Sequence, residues 1–131
     1  MLKGAFNLKY IIFLLFSISA VLMADHKVQH INKELSHINL SEEQSNAAKE
    51  ILFEFRTQLK EFKKFKDETE LKKKDLFLKD YLSIHDIETL DKSVDIMARE
   101  IEKNFLTKMH SLLSIDQRIS FVKYIDDWEV K

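Results

Sequence analysis

Cysteine and proline are absent from this 131-residue chain, and its one glycine is Gly4. Lack of cysteine excludes disulfides, thiolate metal sites and thiol nucleophiles together. Lack of proline and of internal glycine leaves almost nothing that interrupts a helix. A single glycine also cannot build a phosphate loop or a nucleophile elbow, and no HExxH stretch occurs. Charge of one sign is missing too: 21 Lys plus Arg stand against 22 Asp plus Glu. No nucleic-acid partner is therefore expected, since the tract Lys72 to Lys74 is short and offset by Glu68, Glu70 and Asp75. The expectation is an all-α chain without enzymatic parts, held by apolar packing and completed by a second subunit.

What is present begins with a targeting segment. Lys3 and Lys9 precede an uncharged run from Tyr10 to Ala24 that contains "YIIFLLFSISAVLM". A basic start followed by an apolar stretch of this length fits a secretory signal peptide, residues 1–24, and is short for a membrane span. Ala24 suits the residue before a cleavage point, whereas Leu22 is larger than the small residue preferred two positions earlier. Retention as an inner-membrane anchor is the alternative. Residues 25–131 are expected to form one domain that faces an extracytoplasmic space.

In that domain "DHKVQHINKELSHI", residues 25–38, has modest helix propensity and reads as a short helix or a partly ordered arm. At "NLSEEQ" a helix start is explicit: Ser41 and Gln44 have the spacing of a capping box, with Glu42 and Glu43 in the first turn. Ala48, Leu52, Phe55, Leu59 and Phe62 then recur at steps of four and three, which predicts one long helix from about residue 42 to at least 66. The charged stretch "KKFKDETELKKKD" either continues this helix or bends it, with Asp67 to Thr69 the weakest point, and "LFLKDYL" then reads as a short apolar helix ending near Ser83. Asp86 is the candidate N-cap of a second long helix carrying Leu90, Val94, Met97, Ile101, Phe105 and Met109 to Leu112. Ser114 and Gln117 form a second capping box that restarts the chain, with Ile119, Val122, Ile125 and Trp128 on one side of the last helix.

Leu-Ser-x-x-Gln therefore occurs twice, at Leu40, Ser41, Gln44 and at Leu113, Ser114, Gln117. One copy is an ordinary helix start. Two copies, 73 positions apart, are separated by about what one long hairpin needs to bring both to the same end. Glutamine is an unusual choice at both, because Glu caps as well and suits the helix dipole better.

These stretches resemble the two LTxxQ motifs of the Spy/CpxP family of small periplasmic proteins, with Ser in place of Thr. The resemblance extends over the targeting segment, the first motif, both long helices and "LSIDQRISF". It implies a hooked antiparallel hairpin of about four helices that dimerises through its long helices. It further implies an ATP-independent chaperone for unfolded or misfolded envelope proteins, or a stress adaptor that restrains the periplasmic domain of a sensor kinase. Metal-responsive relatives exist in the family.

Two sets of residues carry these functions in the sequence. Phe53, Phe55, Phe62 and Phe65 interleave with Arg56, Lys60, Lys63, Lys64 and Lys66, which would offer a client apolar contact and long-range attraction. The competing reading places the same Phe residues in a packing interface. His26, His30 and His37 lie within about 40° of one another on an ideal helix. With His110, Glu34 or Glu54 such a stripe could bind Zn, Ni, Co or Cu, so a divalent metal sensor is the alternative function.

Overall fold

The computed structural model describes residues 23–124 and 128–131. The expected targeting segment up to Leu22 and the expected contact of Ile125 lie outside them. The fold is all-α: a first helix α1 over 23–35, α2 Glu42–Phe77, α3 Ile84–Leu112 and α4 Ile115–Tyr124. Among the described residues no helix is long and apolar enough to cross a membrane.

The two long helices form the expected antiparallel hairpin. At 36 residues, α2 is about 54 Å long. All five seam residues expected on it, Ala48, Leu52, Phe55, Leu59 and Phe62, are buried. Opposite them α3 buries Ala98, Ile101, Phe105 and Met109. Phe55 and Phe105 stack at 4.4 Å between ring centres and 21° between planes, joining the two seams at the middle of the core.

Residues 25–38 are an ordered layer, not a loose arm. Ala24, Ile31, Leu35 and Ile38 are buried and Val28 is packed on the same core. Their steps of four, three, four and three are a heptad written in small and medium side chains, which the polar composition of the stretch conceals. The side chain of Asp25 pairs with Arg56 of α2. At the other end of the chain, Phe121 and Val130 are buried in the same cluster and Trp128 stacks on Phe121 at 6.5 Å. The last helix thus turns a different side inward than expected: Ile119 and Val122 are exposed, and Phe121 takes the core position.

The middle of the sequence also differs from expectation. No bend occurs at Asp67 to Thr69. Lys63 pairs with Asp67 one turn on at 2.6 Å, and Thr69 is buried with its hydroxyl donating to the Phe65 carbonyl at 2.9 Å. Helix α2 runs on through Leu76 and Phe77, so "LFLKDYL" is not a separate helix but the end of α2 and the turn after it. The N-cap of α3 is Ser83, whose hydroxyl accepts from the Asp86 N–H at 3.2 Å; Asp86 lies in the first turn, where its charge suits the dipole.

Burial is uneven along the rod. The half containing the two Leu-Ser-x-x-Gln motifs carries every buried apolar residue of the hairpin, covered by α1, α4 and the C-terminal residues. Beyond Phe62 on α2 and before Ala98 on α3 only Thr69 is buried. The distal arm is two helices thick and has nothing over it among the described residues.

Phe105→Ala is expected to destabilise the chain by about 3–5 kcal/mol in urea unfolding, as for a fully packed core aromatic. Phe53→Ala, on the same helix but exposed, should stay within about 0.5 kcal/mol of the parent. Equal losses would contradict this assignment of the seam.

Candidate functional site

The paired motifs meet. In each, the serine hydroxyl accepts from the glutamine N–H, at 3.1 Å in Ser41–Gln44 and 3.3 Å in Ser114–Gln117. In each, the glutamine carbonyl oxygen accepts from the serine N–H, at 3.0 and 2.9 Å. The two side chains then bond to one another: Gln44 Nε2 donates to Gln117 Oε1 at 2.8 Å, and Gln117 Nε2 donates to Gln44 Oε1 at 2.9 Å. The remaining amide hydrogens reach across to the backbone. Gln44 donates to the Leu112 carbonyl at 3.0 Å and Gln117 to the Asn39 carbonyl at 2.7 Å, each two residues before the other motif's serine.

The arrangement is a local pseudo-twofold in which each carboxamide uses both N–H donors and both oxygen lone pairs. Glutamate cannot replace either side chain in it. A carboxylate keeps the cap but has no hydrogen to give the opposite oxygen or the carbonyl beyond, and two would repel. That is why glutamine recurs. The site is a fastening: it closes the α1–α2 turn against the α3–α4 turn.

The residues expected to bind a client are not brought together on one surface. Phe55 and Phe62 are buried in the hairpin core and cannot serve one; the seam pattern that predicted the helix already accounts for them. Arg56 is occupied by Asp25 and Lys63 by Asp67. Lys60 and Phe65 are half-buried, which leaves Phe53, at 69% exposed, as the one large apolar side chain of that set open to solvent.

The exposed apolar surface lies elsewhere. Around the turn between α2 and α3, Phe77 is 75% exposed, Leu78 80% and Tyr81 80%, with Leu82 and Ile84 also exposed. Phe77, Leu78, Leu82, Ile84 and Ile87 floor an open cleft of about 500 Å³, with Glu70, Lys73 and Lys74 at its rim. Lys72, Lys74 and Lys79 are exposed around the same tip. This surface was missed because "LFLKDYL" reads as helix, and on a helix its apolar residues would have been assigned inward.

The histidines do not form the expected stripe. Helix α1 stops at residue 35, so His37 lies in the turn that follows. His26 and His30 remain on α1 and line a groove of about 400 Å³ against Leu59, Phe62 and the C-terminal residues. His30 Nδ1 lies 3.9 Å from Glu34. His110 is at the opposite end of the core, in contact with Arg118 Nη1 at 2.6 Å. Glu54 faces α3, where Lys108 and Asn104 donate to it. Among the described residues no three His, Cys, Asp or Glu side chains are grouped to hold a metal ion.

Two ion pairs lace the long helices together. The hydrogen bond from Lys108 holds the Glu54 carboxyl below its ordinary range, Asn104 adding to it against some desolvation. The hydrogen bond to Asp91 at 2.9 Å holds the Lys73 ammonium above its ordinary range, with Glu70 adding to it. A depressed carboxyl contributes stability that is present above its unfolded value near 4.5 and is lost as pH falls through the lower folded value. A raised ammonium contributes stability that is present below 10.5 and is lost as pH rises through the folded value. Unfolding followed by circular dichroism should therefore show Glu54→Gln flattening the acid limb and Lys73→Gln flattening the alkaline limb, both modestly because the groups face solvent. Unchanged limbs would contradict the pairings. Comparison with family models, curated proteins and solved structures finds no match to the chain.

Proposed function

We propose that this chain is an exported, ATP-independent polypeptide-binding protein of the periplasm, acting as a chaperone or as an adaptor in envelope stress. One observation carries the reading: a cluster of large apolar side chains, Phe77, Leu78, Tyr81, Leu82 and Ile84, stands in solvent at the tip of the hairpin remote from the packed, motif-bearing half. Exposed apolar patches of this kind mark interaction surfaces. The clasped half supplies the rigid base, and the distal arm carries the patch away from it. The likeness of the paired motifs to those of the Spy/CpxP family supports the same reading.

Half-buried Phe65 on the uncovered arm is suited to a second copy, so a homodimer is part of the proposal. As an adaptor, the same surface would engage a sensor-kinase periplasmic domain.

The test is aggregation of a reduced, unfolded client at equimolar ratio without ATP. The parent chain should suppress light scattering, and Phe77→Ser/Leu78→Ser/Tyr81→Ser should lose most of that protection. Its helicity and unfolding free energy should remain within about 0.5 kcal/mol per site, because the three side chains are exposed. Equal protection by the triple variant, or none by the parent chain, would overturn the reading.

A further inference from the structure

A third cavity lies at the clasped end, between the end of α3, α4 and the C-terminal residues. It has a volume of about 180 Å³ and is walled by Leu106, Met109, Phe121 and Trp128, with His110 and Arg118 as its charged or polar members. Arg118 is distinctive among the arginines. Arg56 pairs with Asp25, and Arg99 with Glu102 at 2.9 Å. Arg118 has its Nη1 on His110 Nε2, and its buried Nε, like that of Arg56, makes no hydrogen bond, so what sets it apart is its lack of a carboxylate. An arginine can only donate, so His110 Nε2 is the acceptor in that contact and supplies no counter-charge. Among the described residues, Arg118 has no carboxylate in ion-pair range.

Among the described residues a half-buried guanidinium without a carboxylate partner thus borders an apolar cavity. Burying a charge is costly unless it is paired, and a guanidinium fork matches a carboxylate in shape and hydrogen bonding. An apolar cavity of roughly 150 Å³ takes a benzene-sized group, so this one accommodates a chain of about six carbons. We propose that the Arg118 cavity binds a carboxylate attached to a small apolar group: the free C-terminal residue of a polypeptide or a short fatty acid. The guanidinium receives the carboxylate and the cavity receives the apolar part. This site is remote from the α2–α3 tip and does not depend on the polypeptide-binding reading.

Trp128 is the only tryptophan in the chain and lines the cavity, so its emission reports occupancy directly. The full chain is titrated with hexanoate and with a short peptide ending in a free leucine carboxylate, alongside hexanol and the same peptide as its C-terminal amide. At least one acid should produce a saturable change, with half-saturation at about 1 mM or tighter, and its neutral counterpart should bind about tenfold more weakly. Arg118→Gln should raise half-saturation for the acid about tenfold with the far-UV spectrum unchanged. Response to the peptide acid supports a chain-end site, and response to hexanoate alone supports a free carboxylate. Equal response to acid and neutral forms, no response to either acid, or undiminished binding by a folded Arg118→Gln variant would overturn the proposal. Should that variant lose helicity, the comparison of acid with neutral ligand on the parent chain decides alone.

Discussion

The reciprocal bond between the Gln44 and Gln117 carboxamides is what the rest of the structure rests on. Two long helices joined only at one turn have a single covalent connection at that end, and nothing in the backbone holds their other ends together. The amide pair supplies that closure through side chains that also cap α2 and α4. Each glutamine therefore satisfies a helix start, a partner side chain and a carbonyl of the opposite turn at once. Partial loss would leave buried or half-buried donors and acceptors unpaired, which is more costly than the same groups never having been present.

Closure at one end has a mechanical consequence for the other. With α1, α4 and the C-terminal residues gathered over the motif-bearing half, the large apolar residues are buried there and the distal arm keeps only the hairpin's own two helices. Such an arm is held by half-buried contacts and by surface ion pairs such as Lys73–Asp91, individually worth little. It belongs to the low-stability end of the molecule, where interaction surfaces are commonly found. Exposed Phe77, Leu78 and Tyr81 at its tip fit that division: one end fastened, the other available.

How much of this was readable in the sequence depended on whether a residue's role was local. The capping boxes at Ser41 and Ser114 are written in four consecutive positions and were legible, as was the seam from Ala48 to Phe62. The heptad of α1 was hidden because Ala24 reads as the end of the targeting segment and Val28, Ile31, Leu35 and Ile38 stand singly among charged and polar residues. Composition likewise misassigned "LFLKDYL", whose helix propensity yields to the Ser83 cap that starts α3. At the candidate site, periodicity identified Phe55 and Phe62 as seam residues, and that role excluded them from a client surface. The glutamine pair itself left a trace in the repeated choice of Gln over Glu, but its geometry is a contact across 73 residues that no local pattern encodes.

The fastening is tested most directly by a double-mutant cycle at the two glutamines, with unfolding free energies measured in urea for the parent, Gln44→Ala, Gln117→Ala and the double variant. If each carboxamide depends on the other, either single change removes most of what the pair contributes. The double variant should then be less destabilised than the sum of the singles by about 1 kcal/mol or more. Effects that add to within about 0.3 kcal/mol would mean that each glutamine is only its own helix cap, and would contradict the account.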